Sequence, residues 1–411
     1  MDKIGHWWDT YLAGLSVPPR DAPPAGDNVN FNRIPMTQEL CPAPETHSGD
    51  HISEQLSAIW REILSVDDVD PDQNYFDLGG DSSLAVQMFA RIESVFGVRL
   101  PLATLYEAPT IAELASILKG ELSHSGWSPV VEIQPNGSRP PFFCIHPHGG
   151  NVLIYRELAR QLGEDQPFFG LQAQGLDGAQ QPLTTIEEMA TLYLREIRRV
   201  QPHGPYFLGG YCMGGAVAYE LACQFSAIGE EVALVALFDT MEFSQFPNPS
   251  FLKMSYYNCQ RFLFHSSNLW KLNSQDRSRF ISEKISSLRV RIPVWLSRVR
   301  NSSKETDSLA ESQILDRIWN ANFQAYLKYV GRPYAGVVTD IRPARQYRMF
   351  NDPRYKWNQL AQGGQKTIVL PVNPPAMLSD PFVKHLAIVL RQCIDEAIEA
   401  KTSSVSNSYA R

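Results

Sequence analysis

Apolar positions along this chain follow two rhythms. Between residues 52 and 118 they recur at helical spacing: Ile52, Leu56, Ile59, Trp60, Ile63 and Leu64 predict one amphipathic helix. Leu84, Met88, Ile92 and Phe96 predict a second, which starts at Ser82 just after a glycine turn. Thr110 and Glu113 form a capping box that opens a last short helix to Leu118. With the aspartates at 67, 68, 70 and 72 between them, these segments read as a small acidic bundle of four helices. Beyond residue 129 strands alternate with helices. Residues 130–133, 141–145, 168–172 and 232–238 read as strands, and helices are expected through Leu153, Leu158 and Leu162 and from the Thr185 cap to Val200. Buried apolar strands in such alternation predict a parallel sheet covered on both faces, with ligands at the strands' carboxyl ends.

The stretch GPYFLGGYCMGGAVAYE, from Gly204 to Glu220, carries the chemistry. It reads as strand, sharp turn and helix, with Cys212 at the turn in a G-x-C-x-G pattern, a nucleophile elbow with cysteine in place of serine. The flanking glycines are expected to let the backbone turn tightly, and the helix N-terminus to lower the thiol pKa. A small buried cysteine under a glycine-rich turn is the plain alternative. His148 and Asp239 follow predicted strands and fall at the same sheet edge as Cys212.

Composition narrows the classes. The 411 residues suggest two or three domains, and 44% hydrophobic with 20% charged residues describes a soluble globular protein. A net charge of −7 argues against nucleic acid as the main partner. No apolar run reaches membrane-spanning length, and the N-terminus makes a poor signal peptide. Six scattered cysteines without C-x-x-C spacing fit reduced thiols in the cytoplasm, with neither a metal site nor a disulfide framework.

FDLGGDSSLAVQ, from Phe76 to Gln87, resembles the attachment signature of the peptidyl carrier proteins of nonribosomal peptide synthetases, over about residues 53–118. The resemblance implies covalent 4'-phosphopantetheine on Ser82, with Ser83 as runner-up, where by itself Ser82 would read as a helix N-cap. CIHPHGG (144–150), the elbow, and ALFDT (236–240) resemble the type I thioesterase domains that end such synthetases, which have the α/β-hydrolase fold. It implies that an acyl chain borne on Ser82 passes to Cys212. The backbone amides of Met213 and His148 would form the oxyanion hole, and Asp239 would orient a histidine, although a carboxylate there can also cap a neighbouring element.

The chain departs from that pattern where the family places its histidine. Before Met377-Leu378 stands Asn373-Pro374-Pro375. Among the histidines His148 is the better substitute as base, because its backbone already belongs at the oxyanion loop, but a structural or substrate-lining role is the reading preferred for it; His385 reads as a helix-face residue, and His265 is an outside candidate. Losing a base harms cysteine less than serine, because a thiol of pKa about 8.5 is already partly ionised at neutral pH.

The expected organisation is a flexible leader (1–50), a carrier domain (51–120), a linker (121–129), a hydrolase domain (130–400) with a helical lid at about 241–331, and a disordered tail (401–411). Arg289, Arg291, Arg298 and Arg300 in the lid would offer a docking patch for the acidic carrier. Expected partners are a phosphopantetheinyl transferase, adenylation or synthetase proteins acting in trans, and an acyl or aminoacyl substrate, with neither nucleic acid nor membrane. Three functions fit: acyl transfer through Cys212 to an acceptor, conventional hydrolytic or cyclising release with another histidine as base, and a non-catalytic scaffold that docks carriers.

Overall fold

The computed structural model describes residues 49–80, 82–122, 127–240, 277, 307–343, 357–372 and 377–409. Residues 1–48 of the expected leader, His265, the four lid arginines and Asn373-Pro374-Pro375 lie outside the described residues, whereas the first helix already begins at Gly49 and the tail expected to be disordered continues the last helix to Tyr409.

Four helices come first: α1 (Gly49–Leu64), α2 (Ser82–Phe96), α3 (Thr104–Glu107) and α4 (Ile111–Leu118). Their apolar stripes close on one core that includes Leu56, Trp60, Tyr75, Met88, Ile92 and Leu114. The predicted capping box is present, with Thr110 Oγ1 accepting from the Glu113 amide and the Glu113 carboxylate accepting from the Thr110 amide.

Among the described residues seven strands then form one sheet: β1 (Val130–Gln134), β2 (Phe142–Ile145), β3 (Phe168–Leu171), β4 (Tyr206–Tyr211), β5 (Val232–Phe238), β6 (Val338–Pro343) and β7 (Gln365–Leu370). Their spatial order is β1-β3-β2-β4-β5-β6-β7, and all neighbours are parallel except β1 and β3. The sheet is thus parallel, as expected, except along its β1 edge. The connection from β1 to β2 is too short for a crossover helix, so β1 turns back along the edge beside β3.

Alternation along the strands divides the core in two. Phe143, Ile145, Leu208 and Leu237 face α6 (Ile186–Val200) and α7 (Met213–Ala227). Phe142, Cys144, Phe207 and Phe238 face α5 (Arg156–Leu162) and α10 (Val383–Tyr409). α8 (Asp307–Lys328) and the short α9 (Trp357–Leu360) complete the first layer. Among the described residues no helix is long and apolar enough to cross a membrane.

The elbow glycines act differently from their sequence reading. None of Gly209, Gly210, Gly214 and Gly215 needs a left-handed backbone; Cys212 itself has φ +56°. Instead they leave room. A Cβ at Gly210 would collide with the backbone of Gly214 and Gly215, and one at Gly214 with the carbonyls of Ile145 and His146. Backbone cannot give way as a side chain can, so Gly210→Ala should cost about 2–3 kcal/mol. Gly229→Ala, where no atom lies within 4 Å but φ is +79°, should cost only about 1 kcal/mol of backbone strain. Urea unfolding of the two variants, followed by tryptophan fluorescence, checks this order.

Candidate active site

β4 ends in the middle of the sheet and α7 begins one residue later, so the turn between them has a single residue, Cys212. Its amide donates to Phe238 O at 2.8 Å, which ties the turn to β5, and its φ of +56° and ψ of −119° lift the side chain above the strand ends. For a residue with a Cβ this conformation is strained, and the packed strand and helix on either side hold it there.

The loop after β2 brings His148 to the same edge. A turn from Pro147 O to the Gly150 amide, at 2.9 Å, folds it over, and Gly150 takes the positive φ of +80° that the turn needs. Tyr155 sets the spacing between the two loops, with its hydroxyl donating to Ile145 O at 2.6 Å and accepting from the Tyr211 amide at 3.1 Å. The result is a contact of 3.6 Å between Cys212 Sγ and His148 Nδ1. Thus an imidazole does reach the sulfur.

His148 is buried. Its ring lies against Trp319, Tyr326 and Phe323 of α8, with centroids 5.2, 5.3 and 6.0 Å away. Its carbonyl accepts from Asn322 Nδ2 at 2.8 Å, and its Nε2 has no hydrogen-bond partner among the described residues. Burial, with a smaller contribution from His146, pushes its pKa down to about 3. The imidazole is therefore neutral at physiological pH.

Cys212 is partly exposed but packs against both apolar layers of the core. Burial first, and then the charge of Asp239, push its pKa up to about 12, while the Met213 amide pulls the other way. The expectation of a lowered thiol pKa is therefore corrected: loss of water and a nearby carboxylate outweigh the helix N-terminus. At rest the pair is thiol and neutral imidazole, not an ion pair.

Asp239 stands at the end of β5 with φ +44° and its amide on Ile341 O at 2.9 Å. It is buried and acts on the thiol, but does not hold His148, whose far nitrogen has no partner among the described residues. Asp340, within β6, is bound by Gln365 at 3.0 Å and by Arg342 at 3.5 Å, which fits a structural role. His146 is structural too: it is buried, with Nδ1 on Pro147 O and Nε2 on the Tyr193 hydroxyl, both at 2.7 Å. His385 sits half-buried on the first turn of α10. Sequence reading missed Trp319, Asn322, Phe323, Tyr326 and Tyr155. The four on α8 were detectable as two pairs spaced four apart, 319 with 323 and 322 with 326, but nothing in that spacing says that their partner is the loop at 148.

Ser82 is the first residue of α2 and follows Gly79, which is exposed and has open space around it. A helix start beside an open turn fits a phosphodiester-linked arm, since unpaired N-terminal amides favour an anion. Among the described residues no group of three or more His, Cys, Asp or Glu side chains could hold a metal ion.

Comparison with known proteins accords with this architecture. Residues 54–118 match the model of the phosphopantetheine attachment site, and residues 140–245 match that of the thioesterase domain. The chain is 42% identical over 236 residues to malpinin synthetase of Mortierella alpina, covering 56% of this chain and 3% of that protein. It is 37% identical over 224 residues to a dimodular nonribosomal peptide synthase of Bacillus subtilis, covering 51% of this chain and 9% of that one. The crystal structure of a four-domain nonribosomal peptide synthetase, in its holo form with AMP and glycine, superposes with a TM-score of 0.52 at 25% identity, over 90% of this chain and 27% of the other. The chain thus carries a phosphopantetheine carrier domain followed by a thioesterase domain of α/β-hydrolase type, is homologous to nonribosomal peptide synthetases, and spans a small part of their length.

A thiol held up by burial and by Asp239 should react slowly at neutral pH and faster as pH rises. Iodoacetamide labelling of Cys212, quantified by peptide mass spectrometry, should climb from pH 7 to 10 without a plateau. Asp239→Asn removes the opposing charge and should raise the rate at pH 8 by roughly threefold to tenfold. A plateau below pH 8 in the unsubstituted protein would mean that the thiol is activated at rest.

Proposed function

We propose that this chain accepts acyl or aminoacyl groups from carrier thioesters onto Cys212 and passes them to an amine or thiol acceptor. The observation that carries this reading is the contact of Cys212 Sγ with the neutral, buried imidazole of His148 on a strained elbow. The phosphopantetheine arm, when attached at Ser82, supplies a thiol that carries the acyl group as a thioester.

In the proposed step Sγ attacks the thioester carbonyl carbon. A new C–S bond to Cys212 forms as the bond to the departing thiol breaks. His148 Nδ1 takes the proton from Sγ as the bond forms and returns it to the departing sulfur. Moving the proton together with the attack avoids a free thiolate and a free imidazolium, both disfavoured in this apolar setting. The amide of Met213, which points toward Sγ, and that of His148 are the donors assigned to the carbonyl oxygen. The step exchanges one thioester for another, so it is close to thermoneutral.

Clearing the acyl group with water is harder. Water must lose a proton to become a nucleophile, and an imidazole whose basicity is suppressed by burial, with no carboxylate on its far nitrogen among the described residues, is a weak base for that purpose. A thiol or an amine needs less help, which favours transfer over hydrolysis. Hydrolytic or cyclising release is the second reading, because an imidazole does lie within reach of the sulfur. The free cysteines of the described core suit a reducing compartment, and we place the reaction in the cytoplasm, supplied by synthetase proteins and by a phosphopantetheinyl transferase that modifies Ser82.

Intact-protein and peptide mass spectrometry of the chain loaded with an acyl group at Ser82 tests the reading. The acyl mass should move to Cys212, persist in water, and leave when an amine or thiol acceptor is added. Cys212→Ala should slow the transfer roughly hundredfold or more. Prompt loss of the Cys212 adduct to water would establish hydrolysis instead, and absence of any adduct would leave a docking scaffold.

A further inference from the structure

One face of α8 touches both halves of the chain. Ile314, Ile318, Asn322 and Tyr326 are four residues apart, as are Leu315, Trp319 and Phe323, so the two rows form one stripe along the helix. At its first end Ile314 and Leu315, with Leu176, form one wall of a cleft whose other wall includes Phe89, Leu100 and Leu102 of the carrier bundle. One turn on, Ile318 packs with Ala173 and against Gly150, where a Cβ would strike it. At its far end the stripe holds the His148 carbonyl through Asn322 and covers the His148 ring with Trp319, Phe323 and Tyr326. From Ile314 to Tyr326 the helix rises about 18 Å as a single rigid element.

The carrier grips a second element beside the same site. Leu153, five residues after His148, belongs to the apolar core of the carrier bundle. Arg156 lies over the Phe76 ring at 4.1 Å, is 3.8 Å from the Asp77 carboxylate, and is braced by Glu157 at 2.9 Å. Phe76 and Asp77 belong to the turn that leads to Ser82. The carrier is thus seated on the two segments, α8 and residues 153–156, that flank the Cys212–His148 pair.

We propose that this seat is the docking surface of the chain's own carrier domain, and that its occupancy controls how tightly α8 seals the Cys212–His148 pair. Docking covers the Ile314 and Leu315 end of α8 and presses its aromatic end onto His148, which shields the thiol from water and from reagents other than the carrier's own arm. Departure of the carrier exposes that apolar end, favours release of α8, and admits water and an incoming acceptor. The coupling is reciprocal, so opening α8 weakens carrier docking by the same factor. This inference concerns regulation of the site on the reading that Cys212 is the acyl acceptor.

The test uses the full chain and two substitutions at separate ends of the seat. Arg156→Glu removes the contact with Phe76 and repels Asp77 without touching α8, and Ile314→Glu breaks the α8 contact. Small-angle scattering reports whether the carrier has left, and iodoacetamide labelling of Cys212 at pH 8 reports the seal. Both variants should show a larger radius of gyration and label Cys212 at least about tenfold faster, the scale set by the burial of one aliphatic side chain. An unchanged radius in both overturns the docking surface. An expanded Arg156→Glu chain with an unchanged labelling rate overturns the coupling. Labelling needs no acyl donor, so its outcome is independent of whether acyl transfer to Cys212 occurs.

Discussion

Everything at this site depends on one contact, a thiol against an imidazole with most of the water removed. Neither group would be unusual alone. A cysteine at a helix N-terminus tends toward thiolate, and a surface histidine titrates near neutrality. Brought together at 3.6 Å under an aromatic cover, both are neutral. The scaffold that forces them together is ordinary sheet packing. Parallel strands β2 and β4 lie side by side and place the two loops at one edge, and the Tyr155 hydroxyl bridges the strands where they end.

That neutrality gives the proposed chemistry its direction. An activated ion pair would attack readily and would also let water clear the acyl group. A desolvated neutral pair must move its proton as bonds change, which suits exchange between sulfurs better than activation of water. The absence of a carboxylate on His148 Nε2 among the described residues points the same way, and the charge of Asp239 opposes ionisation of the thiol. The aromatic residues of α8 exclude the water, which ties the chemistry of the pair to the position of a helix that also contacts the carrier.

The sequence disclosed most of the frame. Helices at 52–64, 82–96, 111–118 and 186–200 and strands at 130–134, 142–145, 168–171 and 232–238 coincide with their periodic signals to within a few residues. Local rules suffice there, because capping, alternation and turn residues act over short spans. The single-residue elbow was also readable, since G-x-C-x-G between a strand and a helix allows little else. What sequence did not disclose depends on contacts far apart in the chain. The antiparallel β1, the aromatic row of α8 on His148 and the carrier's seat on Leu153 and Arg156 join segments whose own patterns carry no address for a partner. The thiol pKa was misjudged for a related reason. The helix N-terminus is visible in sequence, but the desolvation that outweighs it comes from the assembled fold.

The most direct test of the neutral pair is nitrogen NMR of the His148 ring in the full chain, from pH 5 to 8. The account predicts a neutral imidazole throughout, with a shift at Nδ1 when Cys212 is replaced by alanine and little change at Nε2. An imidazolium signal at pH 7 that disappears in the Cys212→Ala variant would contradict it, because it would show that the two side chains rest as thiolate and imidazolium.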